Sequence, residues 1–179
     1  MRKIVSSDAS FSKCGLYRWW LRRKVISNER KLLFIGLNPS FAGKEVNDPT
    51  TTRLVNFCRA WGYGTLFIIN LFAKVSSSSL LLKYSSNPVG NKNDSEISSR
   101  LDSWSNDLNW DLWLGWGARG TLRNRNIELT RVLKIFSKQR YKRFDKSRGP
   151  LVLGLTKGGH PMHPLYLPCK KLLYPFEIP

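Results

Sequence analysis

The chain has 179 residues, of which 41% are hydrophobic and 12% aromatic, enough for one domain with a single core and too apolar for a wholly disordered chain. Thirty Lys and Arg against twelve Asp and Glu give a net charge of +18 at pH 7, which points to a polyanion as partner, nucleic acid first. The longest apolar stretches, 31–37 and 65–73, fall far short of the roughly 18–20 residues of a membrane span. Residues 1–14 are polar and lack the apolar stretch of a signal peptide. The three cysteines, Cys14, Cys58 and Cys169, form no C-x-x-C pair, which argues against a disulfide framework, a zinc ribbon or a cysteine-ligated cluster. The expectation is one soluble, cytoplasmic domain over 1–179 without metal or cofactor, with 1–13 as a flexible arm.

In chain order, the apolar run 31–37 closed by Asn38-Pro39-Ser40 predicts a buried strand running into a loop. Asp48 followed by Pro49 offers helix N-cap chemistry, and Leu54, Phe57 and Trp61 give 53–61 a helical spacing. Gly62-Tyr63-Gly64 breaks that helix, and 65–71 predicts a second buried strand. The Ser-rich stretch 76–93, with Pro88 and Gly90, predicts a loop containing one helical turn. A helix over 93–108 has Ile97, Leu101 and Trp104 on one face. Residues 110–115 predict a third strand, 121–136 a helix, 137–149 a basic connection and 151–155 a fourth strand. An irregular loop, Gly158-Gly159-His160-Pro161-Met162-His163-Pro164-Leu165, follows. Strands alternating with helices predict a parallel sheet covered on both faces.

In such sheets chemistry collects beyond the carboxyl ends of the strands. Asn38, Asn70, Gly117 and His160 fall at those ends. Both histidines of the chain lie in the one Gly/Pro-rich loop, where flanking prolines restrict the backbone that carries them. No carboxylate or cysteine near them completes a metal ligand set. No Ser–His–Asp order, nucleophile elbow or phosphate-cradling Gly-x-x-x-x-Gly-Lys is present. Positive charge clusters at Arg18, Arg22, Arg23 and Lys24, and again from Lys134 to Arg148. Trp113 and Trp116 read as core residues; Trp19-Trp20, beside the first cluster, suits stacking on bases.

Taken together, these segments resemble the α/β-fold uracil-DNA glycosylase superfamily, and more closely a bacterial and phage branch with Gly-Leu-Asn-Pro-Ser and a C-terminal Gly-Gly-His-Pro-x-His-Pro-Leu. The resemblance spans residues 14–168. It implies a three-layer α/β/α sandwich with a central, mainly parallel sheet of four or five strands. Asn38 matches the residue that positions water, with Asp48 as the nearest carboxylate to assist, and Asn70 matches the base-reading Asn at a strand end. Residues 112–118 resemble the family's apolar strand ending in Trp-Gly and a small residue. His160-Pro161 and Pro164-Leu165 match the two ends of the family's His-Pro-Ser-Pro-Leu, with Met162-His163 where the family has one Ser. Either histidine fits the place that donates a hydrogen bond to the departing base; the His-Pro that opens the loop favours His160. His163 then joins Ser40, Phe41 and Asn70 in base recognition. Leu165 or Tyr166 is the candidate wedge, and Arg53, Arg119, Arg140, Lys142 and Arg143 are expected to contact the DNA.

The activity so implied is that of a monofunctional DNA glycosylase acting as a monomer on double-stranded DNA. It would flip out a pyrimidine, foremost a hypermodified one such as glucosylated 5-hydroxymethylcytosine of phage DNA, and leave an abasic site as an anti-phage defence. The alternatives are uracil or thymine-mismatch repair and a non-catalytic DNA-binding protein on the same scaffold.

Overall fold

The apolar runs Lys31–Gly36 (β3) and Thr65–Asn70 (β4) pair in parallel, and β3 pairs in parallel on its other side with Trp110–Leu114 (β5). Their carboxyl ends therefore reach one edge together: Gly36 stands opposite Asn70, and Ile35 opposite Leu114. The computed structural model describes residues 4–168 and 170–179, except the side chain of Tyr166. Cys169 and the Tyr166 side chain, a wedge candidate, thus lie outside the described residues.

Among the described residues the strands form one seven-stranded mixed sheet, in the order β1-β2-β4-β3-β5-β6-β7. Here β1 is Ser6–Phe11, β2 Arg18–Lys24, β6 Leu151–Val152 and β7 Tyr174–Pro175. The pairs β1/β2, β2/β4 and β6/β7 are antiparallel, and β5/β6 is parallel. This corrects the expected sandwich on a mainly parallel sheet of four or five strands. The reason is compositional. Ser6–Phe11 is mostly polar, and β2 buries Arg18 and Arg23 along with Trp19 and Leu21, so neither strand shows an apolar alternation. Residues 6–11, expected in a flexible arm, are the edge strand β1.

Alternation along β3 divides the core. Leu33 and Ile35 pack with Ile97, Leu101 and Trp104 of α2 (Asn93–Asn106) and with Leu129 and Leu133 of α3 (Arg125–Arg143). Leu32 and Phe34 pack with Leu54, Val55, Phe57 and Cys58 of α1 (Pro49–Ala60) and with Trp113. Trp113 meets Phe34, Phe57 and Trp61 edge-on at 4.8, 5.5 and 5.2 Å. Each such pair is worth about 0.5–1.5 kcal/mol beyond the area it buries. Trp116 is buried too, so both tryptophans are core residues.

Asp48 caps α1, its Oδ1 accepting from the Thr51 N–H at 2.6 Å with Pro49 in the first turn. That cap starts the helix at Pro49, four residues before the periodicity does. The Ser-rich loop holds a 3-10 helix, Ser79–Tyr84. The expected helix over 121–136 begins later and runs further. Arg123 and Asn124 adopt φ of +52° and +58°, which ends a separate 3-10 segment, Ala118–Asn124, before α3 starts.

At the other end, 137–143 is helix rather than a basic connection because Arg140 is a core residue, 1% exposed. Its guanidinium donates to the carbonyls of Trp104, of Asp107 and Trp110 at 3.0 Å each, and of Arg148 at 3.0 Å. It is therefore not available to DNA, which corrects the expectation for this residue. The same bonds place the last turns of α3 beside Trp110, the first residue of β5, at the opposite edge of the sheet from the strand ends that carry Asn70 and Gly115.

Replacing Arg140 by Met keeps the aliphatic packing and leaves those carbonyls without a donor. At about 1–3 kcal/mol for an unsatisfied buried group, the expected loss is roughly 3 kcal/mol. It is read as a lower urea midpoint with unchanged slope. A loss below about 0.5 kcal/mol would show that the four carbonyls find other donors.

Candidate functional site: a polar cleft at the strand ends

A cleft of about 530 Å³ opens beyond the carboxyl ends of β3 and β5. Its walls come from the loop after β3 (Asn38, Ser40, Asp48), the Ser-rich loop (Ser76, Ser77, Ser79), the turn after β5 (Trp116, Gly117, Arg119) and the histidine loop (His163, Leu165). Gly117 has φ +72°, and its N–H donates to the Pro161 carbonyl at 2.8 Å, which ties the last two segments together.

The orientation of the Asn38 amide follows from its partners. Nδ2 lies 3.0 Å from both the Pro39 and the Ser76 carbonyls, which can only accept. Both of its hydrogens are thereby engaged, and Oδ1 remains as an acceptor in the cleft wall. Asp48 is the one carboxylate among the described residues lining the cleft, and its cap bond to Thr51 uses only Oδ1.

His163, not His160, stands in this wall. His160 sits at the return of a small hairpin closed by a bridge between Leu155 and Pro161. Its N–H donates to Thr156 Oγ1 at 3.1 Å, and its carbonyl accepts from the Thr156 N–H at 2.8 Å. Past Pro161 the chain crosses to the cleft. There the Leu165 N–H donates to His163 Nδ1 at 3.3 Å, so the neutral ring carries its proton on Nε2. Burial pushes the His163 pKa below the usual histidine value, while Asp48 pulls it back up. At neutral pH the ring is an uncharged Nε2–H donor. Loop geometry thus brings His163, and not the expected His160, into the cleft wall.

Beneath the cleft a small recess of about 40 Å³ shares Asn38, Asp48 and His163 with it and reaches down to Arg18, Gly36 and Asn70. Asn70 is 4% exposed and its Nδ2 has no hydrogen-bond partner; Arg18 is 3% exposed and its Nε has none either. A Cβ on Gly36 would stand 2.8 Å from Asn70 Oδ1, so only glycine there lets the amide keep its place. Burial lowers the Arg18 pKa to about 10, against the attraction of Asp48, which still leaves it charged at pH 7. The floor of the site is therefore rich in unpaired N–H donors. Arg18 gave no sign of this in the sequence, where it stood in a surface-like basic run.

The other expected residues fall into three groups. Ser40, Leu165 and Arg119 line the cleft, with Arg119 Nη1 donating to Ser79 Oγ across its mouth. Phe41 is 73% exposed and outside the lining, and the Arg53 guanidinium donates to the Leu167 carbonyl. Lys142 and Arg143 are exposed, at the far edge of the sheet with Arg140. Two of the four residues of the first basic run are also spent inward: Arg18 donates to the Ala42 carbonyl, and Arg23 to Asn47 Oδ1 and the Gly43 carbonyl. Trp19 is buried against Tyr17, and Trp20 lies under the Arg100 guanidinium at 5.4 Å, so this pair is not an open stacking platform.

Because His163 resists protonation in the fold but not in the unfolded chain, stability is complete above the usual histidine value of 6.5. It falls as pH drops below that value and through the lowered one. Thermal midpoints followed from pH 7 to 5 are expected to fall less steeply in His163→Leu than in the parent chain. Parallel curves would show that the ring titrates normally.

The family described as Protein of unknown function (DUF1643) matches residues 18–165, which includes every residue named in the cleft and the recess. No curated protein matches the chain, and no solved structure does.

Proposed function

The chain belongs to the DUF1643 family, and from its cleft we propose that it is a monofunctional DNA glycosylase, a hydrolase of the bond between a flipped base and its deoxyribose. The observation that carries this reading is the meeting of three groups in one cleft of a chain with net charge +18: the free Asn38 Oδ1, the neutral Nε2–H of His163, and the unpaired Asn70 Nδ2 below them. Hydrolysis of an N-glycosidic bond leaves positive charge on the sugar and negative charge on the base as the C1′–N bond breaks. Asn38 Oδ1 accepts from a water and aims it at C1′. As that water adds, its proton passes to the free oxygen of Asp48 or to solvent. His163 donates to a base oxygen as negative charge collects there, and the base leaves with a proton from solvent. Asn70 presents its amide to the edge of the base.

The cleft volume is within the range of about 300–1,000 Å³ typical of small-molecule sites and exceeds the needs of a bare pyrimidine. That room supports a base with an attached sugar, such as glucosylated 5-hydroxymethylcytosine of phage DNA, and the serine hydroxyls of the wall suit its hydroxyl groups. Repair of uracil or mismatched thymine is the competing substrate class.

Duplex oligonucleotides carrying uracil, mismatched thymine, 5-hydroxymethylcytosine or its glucoside, scored for alkali-labile abasic sites, test the proposal. Release of one of these bases is expected, fastest with the glucoside, and no abasic site on any duplex would overturn it. On the cleaved duplex, single-turnover release should fall about 10²–10³-fold in His163→Ala and comparably in Asn38→Ala. His160→Ala should stay within about threefold, its ring lying outside the reach of a transition-state donor. The reverse ranking of the two histidines would mean that the loop rearranges when DNA binds.

A further inference from the structure

The 3-10 helix Ser79–Tyr84 begins on the cleft wall and turns three large apolar side chains to solvent. Leu80, Leu81 and Tyr84 are 61, 58 and 79% exposed, whereas Leu82, in the same helix, is 1% exposed and anchored in the core beneath α2 and α3. The segment is therefore pinned from below with its leucines held outward, an arrangement that costs free energy unless something covers them. Cations surround it. Arg119 is bonded to Ser79, Arg123 donates to the Ser85 and Ser86 carbonyls at 2.5 and 3.3 Å, and the Lys83 ammonium lies 5.8 Å from the Tyr84 ring. An apolar groove of about 230 Å³, which includes Leu80 and Leu82, joins these leucines to the cleft through Leu37, Ser79 and Arg119.

Apolar side chains at the mouth of a base-sized cleft, ringed by Lys and Arg, match a surface that meets base faces and phosphates at once. A second copy of this chain would bring another +18 against the same cations, which disfavours self-association there. We propose that Leu80 and Leu81 are the wedge that enters the base stack of duplex DNA beside the cleft, with Tyr84 stacking on a neighbouring base and Arg119, Lys83 and Arg123 on the flanking phosphates. This rests on the base-excision reading above. It moves the role expected of Leu165 or Tyr166 to another segment; the Leu165 side chain is half-buried in the cleft wall, and that of Tyr166 lies outside the described residues.

A wedge matters only where there is a stack to open. The probes are a duplex and the matching single strand, each carrying 2-aminopurine next to the target base, prepared with uracil and with glucosylated 5-hydroxymethylcytosine as targets. The variant is the double substitution Leu80→Ser and Leu81→Ser, at positions whose exposure spares the core; an unchanged thermal midpoint verifies the fold. Single-turnover release and the fluorescence rise on the duplex should both fall about tenfold or more, and release from the single strand less than twofold. Equal losses on duplex and single strand, or no loss on the duplex, overturn the wedge and leave the base-excision reading standing. Absence of both release and fluorescence rise with the parent chain on every probe overturns that reading and the wedge with it. Sedimentation that finds a dimer in the parent chain and a monomer in the variant also overturns it, since the leucines would then face another copy.

Discussion

The parallel setting of β3 between β4 and β5 is the constraint on which the cleft depends. Three strands running the same way must release their loops at the same edge, and the register fixes how far each one reaches. Gly36 and Asn70 stand side by side, and the turn after Leu114 follows within one residue. Everything chemical in the cleft is then a matter of loop length beyond that edge. Two residues past Gly36 place Asn38 against the Ser76 carbonyl, and three past Leu114 place Gly117 where it can hold Pro161. The antiparallel additions at both ends widen the sheet without disturbing this edge, because β2 joins β4 along its outer side.

Buried arginine is the second theme of the molecule. Arg18, Arg23, Arg125 and Arg140 all lie in the interior, and most of their donors go to backbone carbonyls. A guanidinium offers five N–H groups in a fixed fork, so one side chain can satisfy several loop carbonyls that no strand or helix would reach. Arg140 does this at the α3 terminus, and Arg125 does it at the helix start, with Leu71 and the carboxylates of Asp94 and Glu128. Part of the charge that suggests a polyanion is thus structural. What remains outside still exceeds the acids by a wide margin, but the expectation of an anionic partner rests on fewer residues than the sequence offered.

Legibility followed chemistry unevenly. Apolar runs bounded by turn residues gave β3, β4 and β5 to within a residue, and Asp48-Pro49 marked the start of α1 because capping is a local event. The polar residues at the strand ends were visible for the same reason. The hairpin of β1 and β2 was not, since burial there falls on arginines whose partners are loop carbonyls 20–24 residues away. Nor was the contribution of Arg140, set by carbonyls 30–36 residues earlier. The choice between His160 and His163 turned on a bridge between Leu155 and Pro161 that spends the first histidine on its own hairpin, a pairing that motif order does not encode.

The electrostatics of the cleft follow from the same geometry. Asp48 is held in place by its cap bond, in the wall that faces His163 and the buried Arg18. Its field favours the cationic form of both, yet burial outweighs it at His163 and leaves an uncharged ring beside a charged guanidinium. The two are separated by depth: the neutral donor stands in the open wall, the cation below it in the recess. The buried cation adds long-range attraction without standing at the cleft mouth to be screened by salt. A neutral donor in the wall above a cation in the floor thus sets the stronger pull on negative charge at depth, in the recess rather than at the cleft mouth.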